Sequence, residues 1–149
     1  LDLADQNFDA LHKEKFESFD TIFALNVVEH ISEDADNNKL LKGGKLIILV
    51  PAYQTLYNRF DNELEHYRRY NQRYLSTLFN TANFKIIHKK YFNAVGILGW
   101  YISGKLLKNK LIPKGQLKFY NFLVPLFKAF DKLVCNKIGL SVMTVGTKE

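Results

Sequence analysis

Two short apolar runs, each stopped by polar residues at the same end, constrain this chain more than any other feature. Phe19–Ile31 reads FDTIFALNVVEHI: Ile22–Leu25 is apolar, and Asn26, Glu29 and His30 follow it. Leu40–Ala52 reads LLKGGKLIILVPA: Gly43 and Gly44 launch the run Leu46–Val50, and Pro51 stops it. Near-continuous runs of this length suit buried parallel strands with helices over both faces. The two glycines permit the positive φ that a tight turn into such a strand needs. Pro51 has no N–H to carry the ladder on. In open α/β sheets, ligands bind outside the carboxyl ends of the strands, so Asn26 and the residues after it stand at a ligand edge.

The rest of the pattern fits around that pair. Phe8–Lys15 reads as a short helix, with Phe8 and Leu11 on one side. Asn71 caps a helix over Gln72–Thr81, whose apolar stripe is Leu75, Leu78 and Phe79. Asn83 can take the left-handed conformation at the exit from that helix. Phe84–Lys90 and Leu140–Thr147 read as two further strands. Ser32–Lys39 offers about two helical turns, roughly 12 Å, which is short for a crossover between parallel strands. Either the crossover is trimmed or residues near Ala35–Asn38 are absent from this chain, and the reading prefers the second.

The two runs together resemble the fourth and fifth strands of the class I S-adenosylmethionine-dependent methyltransferases. FDTIFALNVVEHI follows that family's FDxIxxxxVxEHI pattern, and LLKGGKLIILVP follows its LLKPGGxLxxxVP turn and strand. The likeness continues through His66–Phe84, HYRRYNQRYLSTLFNTANF, and covers about residues 1–90 and the last strand. It implies an α/β, Rossmann-like sheet of parallel strands with an antiparallel last strand between the fifth and sixth. The family's glycine-rich loop after the first strand has no counterpart here, so the expectation is a domain without its first part.

The resemblance also implies a site. S-adenosyl-L-methionine is the cofactor. Asp2 and Leu3, in LDLAD, take the adenine, with Asp5 as the fallback for Asp2; the other reading of Asp5 is a helix cap. Asn26 lies by the methionine end, and Val27 packs near the adenine and ribose. His30 is either a cofactor contact or packing at a helix start, where Glu29 is favourable as a carboxylate. Ala52–Tyr70, AYQTLYNRFDNELEHYRRY, lines the acceptor pocket. His66 is the candidate general base. Tyr53, Tyr57, Arg68 and Arg69 are candidate substrate contacts, arginine being suited to phosphate or carboxylate. The other reading pairs the two arginines with Asp61, Glu63 and Glu65. Four scattered histidines and one cysteine show no metal-ligand spacing, so no metal is expected.

Tyr91–Gly139 departs from the family as a helical insert before the last strand, which divides the chain into 1–90 with 140–149, and 91–139. Asn93–Leu107 is apolar but too short for a bilayer, which needs about 20 residues. Ile112–Gly115 reads as a turn. Gln116–Val134 reads as an amphipathic helix, with Phe119, Phe122, Leu126, Phe127, Phe130 and Leu133 on one half and lysines on the other. Pro125 is expected to kink it. It is either a lid over the acceptor pocket or an element lying on a membrane surface.

Charge sharpens that choice. Residues 1–84 carry 9 Lys and Arg against 13 Asp and Glu, net −4, whereas residues 85–149 carry 12 Lys against 2 acids, net +10. A basic, aromatic second half fits an anionic partner or a solvated lysine face. Nucleic acid is disfavoured, because the lysines accompany a wide apolar helix and not a base-stacking pattern. The single cysteine, Cys135, cannot form an internal disulfide, which fits a reducing compartment. No secretory leader is visible in the first thirty residues, so the expected location is cytoplasmic, with membrane association left open. The expected activity is methyl transfer to a small-molecule or lipid-linked acceptor. Its rivals are a non-catalytic membrane or lipid-binding module and a nucleotide-sugar or dinucleotide enzyme with a similar sheet. The acceptor and the oligomeric state stay open.

Overall fold

The structure, a computed structural model, describes residues 19–30, 40–106 and 114–149. Its elements run β1 (Phe19–Leu25), β2 (Leu40–Pro51), α1 (Arg59–Glu63), α2 (Gln72–Thr81), β3 (Phe84–Phe92), α3 (Ala94–Trp100), a π-helical turn over Tyr101–Leu106, α4 (Lys114–Leu133) and β4 (Ser141–Lys148). The four strands form one sheet in the order β1-β2-β4-β3. β1 and β2 are parallel, with Ile22 opposite Leu46 and Leu25 opposite Leu49. β4 inserts antiparallel between β2 and β3. The sequence reading of a mixed α/β sheet with an antiparallel last strand is what the chain forms. Phe8–Lys15 and Ser32–Lys39 lie outside the described residues.

The core sits on one face of this sheet. Leu46, Ile48 and Val50 alternate toward it from β2, and Val142 joins them from β4. Leu75 and Phe79, one turn apart on α2, close the layer. Burying side chains of this size stabilises by about 1.5–3 kcal/mol each. Gly146 lets the Phe79 ring seat: a Cβ there would lie 2.5 Å from the ring edge. The runs led us to expect helices over both faces. Among the described residues only one face is so covered; Ile47 and Leu49 are half-buried, and Phe23 and Leu25 are exposed.

Capping sets the helix positions. The Asn71 side chain accepts from the Tyr74 N–H and starts α2, and Asn83 leaves it at φ 58°. α1 is only five residues long, but a reciprocal capping box holds it: Asn58 Oδ1 accepts from the Phe60 N–H, and Asp61 Oδ2 accepts from the Asn58 N–H. Pro51 does not end the pairing as expected. It still faces Ser141, and the Ala52 N–H donates to Leu140 O. The missing N–H at one residue is tolerated because the next one resumes the ladder.

The segment after β3 packs on the segment after β2 through α3. Trp100 Nε1–H donates to Leu56 O, and its ring lies 5.1 Å from Phe60. α4 is tied to the start of α3 by buried Asp131, whose carboxylate accepts from the Asn93 N–H (2.6 Å) and the Ala94 N–H (2.8 Å). The amphipathic helix read over Gln116–Val134 forms over Lys114–Leu133 and contains Pro125.

Candidate functional site

β1 and β2 end side by side. The Asn26 N–H donates to Leu49 O (2.8 Å), and at φ 51° Asn26 turns the chain off the sheet into a single 3₁₀ turn, Val28–His30. The segment after β2 then latches onto that turn. Tyr67 N–H donates to Glu29 O, and Tyr70 Oη–H donates to Val28 O. Tyr70 is itself bridged to Ala52, in line with the sheet. These bonds carry His66 to the carboxyl edge of β1.

Two open hollows meet there. One, of about 300 Å³, is lined by His30, Asn62, Glu65, His66 and Tyr67. The other, of about 330 Å³, is walled by Asn26, Glu29, Pro51, Arg69, Trp100 and Ser141 among others. His30 and His66 belong to both, with ring centroids 4.8 Å apart and edge to face. Two non-glycine residues that line the hollows hold positive φ: Asn26 and Glu65 (57°). Such backbone is uncommon outside glycine and collects at functional sites.

His66 is oriented from behind. Its Nδ1 lies 3.0 Å from Asp61 Oδ1. A carboxylate oxygen only accepts, so Nδ1 is the nitrogen that donates here and Nε2 is the one left for other partners. Asp61 is in turn bound by Arg69, whose Nε–H donates to the same oxygen at 2.8 Å. Both side chains are sealed, 0% and 1% exposed. Arg69 Nη1–H also donates to Ala52 O, and the guanidinium lies 4.5 Å above the Trp100 ring. Burial pulls the Arg69 pKa below its ordinary value, while its hydrogen bond to Asp61 and then the Asp61 charge push it back up.

Glu29 faces the histidines from the other side. It is fully buried, and neither carboxylate oxygen has a hydrogen-bond partner. Burial raises its pKa above the ordinary carboxyl value; its own backbone N–H, His66, His30 and Arg69 pull it back down. Glu29, His30 and His66 each offer one ligand atom within 4.8 Å of the others. The expectation that no metal-ligand grouping exists is corrected on this point. It rested on spacing along the chain, and β2 lies between Glu29-His30 and His66.

The expected site residues divide. Asn26, His30, His66 and Arg69 line the hollows. Exposed Val27 follows Asn26 at the rim. Tyr53 stacks on Tyr91, with centroids 5.0 Å apart. The Tyr57 hydroxyl donates to His66 O at 2.6 Å and buttresses that loop. Arg68 is half-buried outside the lining. Arg69, expected to anchor substrate, gives its Nε–H to Asp61, as the pairing alternative had it, and one Nη1–H to Ala52 O. Asp2 and Leu3 lie outside the described residues. Two contributors were missed. Glu29 was read only as a helix-start carboxylate, although Glu-His after a strand end was its signal. Trp100, the only tryptophan of the chain, gave no signal beyond its place in an apolar stretch.

No family model and no curated protein matches the sequence. Solved structures do. A SAM-dependent methyltransferase from Archaeoglobus fulgidus superposes with a TM-score of 0.52 at 15% identity, over 93% of this chain and 64% of that one. The chain shares the α/β, Rossmann-like fold of that structure. A phosphoethanolamine N-methyltransferase 2 from Haemonchus contortus, in complex with S-adenosyl-L-methionine, is also similar, with a TM-score of 0.48 at 18% identity over 94% of this chain and 39% of that one. The chain spans 64% of the length of the first of those structures.

Proposed function

We propose that the chain is the catalytic part of a methyltransferase that uses S-adenosyl-L-methionine on a small-molecule or lipid-linked acceptor. The observation that carries this is the carboxyl edge of the parallel pair β1–β2. There Asn26, Glu29 and His30 meet His66 around a cleft. The described residues fit the methionyl end of the cofactor: Asn26 and Val27 are exposed at a backbone turn beside the cleft. When bound, the cofactor supplies an activated methyl on sulfonium. Asn26 and Val27 would hold its methionyl and ribose end, with Asp2 and Leu3 at the adenine. His66 Nε2, aimed by the Asp61 bond on the far nitrogen, would take the acceptor's proton. Trp100 and Leu64 wall the cleft and would exclude water. Alignment and water exclusion are worth several kcal/mol of barrier.

Calorimetric titration of the full-length protein with S-adenosyl-L-methionine tests the reading. One bound equivalent is expected, weakened by Asn26→Ala. Heat no greater than dilution would refute it.

A lipid-linked acceptor is favoured by the outer face of α4. Phe122 (80% exposed), Leu126, Phe130 and Leu133 form an apolar line, and exposed Lys128 and Lys132 flank it. No described helix is long and apolar enough to cross a membrane, but such a face suits an anionic lipid surface. Vesicles rich in phosphatidylserine should pellet the protein. Phe122→Ser with Leu126→Ser should release it while leaving its urea midpoint unchanged. A lowered midpoint would mean that the face packs on protein instead.

A further inference from the structure

We propose that Glu29, His30 and His66 form a binding site for one divalent transition-metal ion, of the zinc, cobalt or iron(II) kind, at the acceptor side of the cleft. The proposal goes beyond the methyl-transfer reading and does not require it.

Three observations converge. The first is the donor set. Two imidazoles and one carboxylate suit borderline cations such as zinc, cobalt and iron(II), not the harder magnesium or calcium. The second is Glu29. A buried carboxylate with both oxygens unpartnered is costly, and buried charges are ordinarily paired or bound to a metal. His30 and His66 face it, and Arg69 acts on it only through its charge. A cation between the three residues would supply the missing partner. The third is the Asp61–His66 bond. A histidine that binds a metal through one nitrogen usually gives its other N–H to a carboxylate, which fixes the tautomer and raises ligand basicity. Asp61 holds His66 in that way at 3.0 Å, and Arg69 holds Asp61 at 2.8 Å. The supporting shell is thus built whether or not an ion is present.

The geometry needs a small closure. With metal–ligand bonds near 2.1 Å, neighbouring ligand atoms in a tetrahedral shell lie about 3.4 Å apart, against the 4.8 Å limit seen here. His30 is exposed at the end of the 3₁₀ turn, so its side chain can swing inward without disturbing the core. Three protein ligands leave a fourth position open toward the cleft, the pattern of reactive rather than purely structural sites. With an ion seated, His66 Nε2 is a ligand. An acceptor hydroxyl or water in the fourth position would then have its pKa lowered by the ion and would release its proton to solvent, since the imidazole lone pair is taken up by the ion.

The test uses the full-length protein stripped with a chelator and titrated with Co²⁺ alone, read by visible absorption and by the thermal midpoint. One equivalent is expected to produce d–d bands and raise the midpoint, and Zn²⁺ should displace the colour. His30→Ala removes an exposed ligand, so it should fold normally and bind at least about tenfold more weakly. Asp61→Asn should weaken binding by about 10–100-fold by loosening the hold on the His66 ring, and His88→Ala, on β3, should leave it unchanged. The proposal is overturned if the parent protein shows no d–d bands, if His30→Ala and Glu29→Gln bind as the parent does, or if His88→Ala loses as much as they do. Cofactor titration is a separate readout, so either reading can fail while the other stands.

Discussion

Asp61→Asn removes one charge and exchanges one oxygen for nitrogen, and it should cost more stability than any other single change near the cleft. Asp61 Oδ1 faces Arg69 Nε at 2.8 Å and His66 Nδ1 at 3.0 Å, and Oδ2 accepts from the Asn58 N–H at 2.9 Å. An asparagine has one oxygen for these donors. Whichever way its amide is set, the NH₂ group points at a donor, either the capping N–H of α1 or the Arg69–His66 pair. Arg69 is then a buried guanidinium without its bonded counter-charge. Breaking a buried pair by removing one partner costs about 3–5 kcal/mol. For a domain of this size the urea slope is about 2 kcal/mol per molar, so the unfolding midpoint should fall by about 1.5–2.5 M. Trp100 stacks on Arg69 and is the only tryptophan, so its emission reports the transition from beside the pair. Replacing the whole pair with apolar side chains, Asp61→Leu with Arg69→Met, should be less harmful than Asp61→Asn alone, because no charge is stranded. A midpoint within about 0.5 M of the parent for Asp61→Asn, or a double variant as damaged as the sum of its parts, would refute the reasoning.

Other parts of the fold give further tests. Gly146→Ala places a Cβ 2.5 Å from the Phe79 ring and 3.2 Å from Phe84 Cβ, so overpacking should cost about 1–3 kcal/mol in urea unfolding. Asn71→Ala removes the acceptor for the Tyr74 N–H and should cost about 1 kcal/mol by the same assay. Asp131→Ala orphans the Asn93 and Ala94 N–H groups; a cost of about 1–3 kcal/mol is expected, with faster amide exchange confined to residues 93–100. Glu29→Gln in metal-stripped protein should stabilise by about 1 kcal/mol at pH 7. Burial holds the folded-state carboxyl pKa above its ordinary 4.5, so the unfolded chain ionises first and stability is lost as pH rises from there. The advantage of Gln should therefore vanish below pH 4.5, and an equal effect at both ends of the range would contradict it.

The sheet was legible because its information is local. Leu46–Val50 and Leu140–Thr147 carry their own strand signatures, and Asn71 and Asn83 mark the ends of α2 by side-chain and backbone chemistry that needs no tertiary partner. The pairing order followed from the resemblance, not from periodicity. Among the described residues, one face of the sheet lacks the helical cover that its continuous apolar runs led us to expect, with Phe23 and Leu25 exposed on it.

The candidate site was legible as chemistry and illegible as geometry. HYRRY announces a histidine and two arginines, but it reads the same whether Arg69 reaches a substrate or is sealed against Asp61. What decides between them is Trp100, which covers the guanidinium and comes from a segment thirty-one residues further along the chain. Glu29 poses the converse problem. Its sequence context offers a helix-start carboxylate, and only the latch of Tyr67 and Tyr70 onto Val28 and Glu29 encloses it. Each residue's role is thus set by a partner that sequence alone does not place beside it. A buried arginine with its acid and a buried glutamate without one are consistent with one arrangement, in which Arg69 supports His66 through Asp61 and leaves Glu29 to whatever cation enters the cleft.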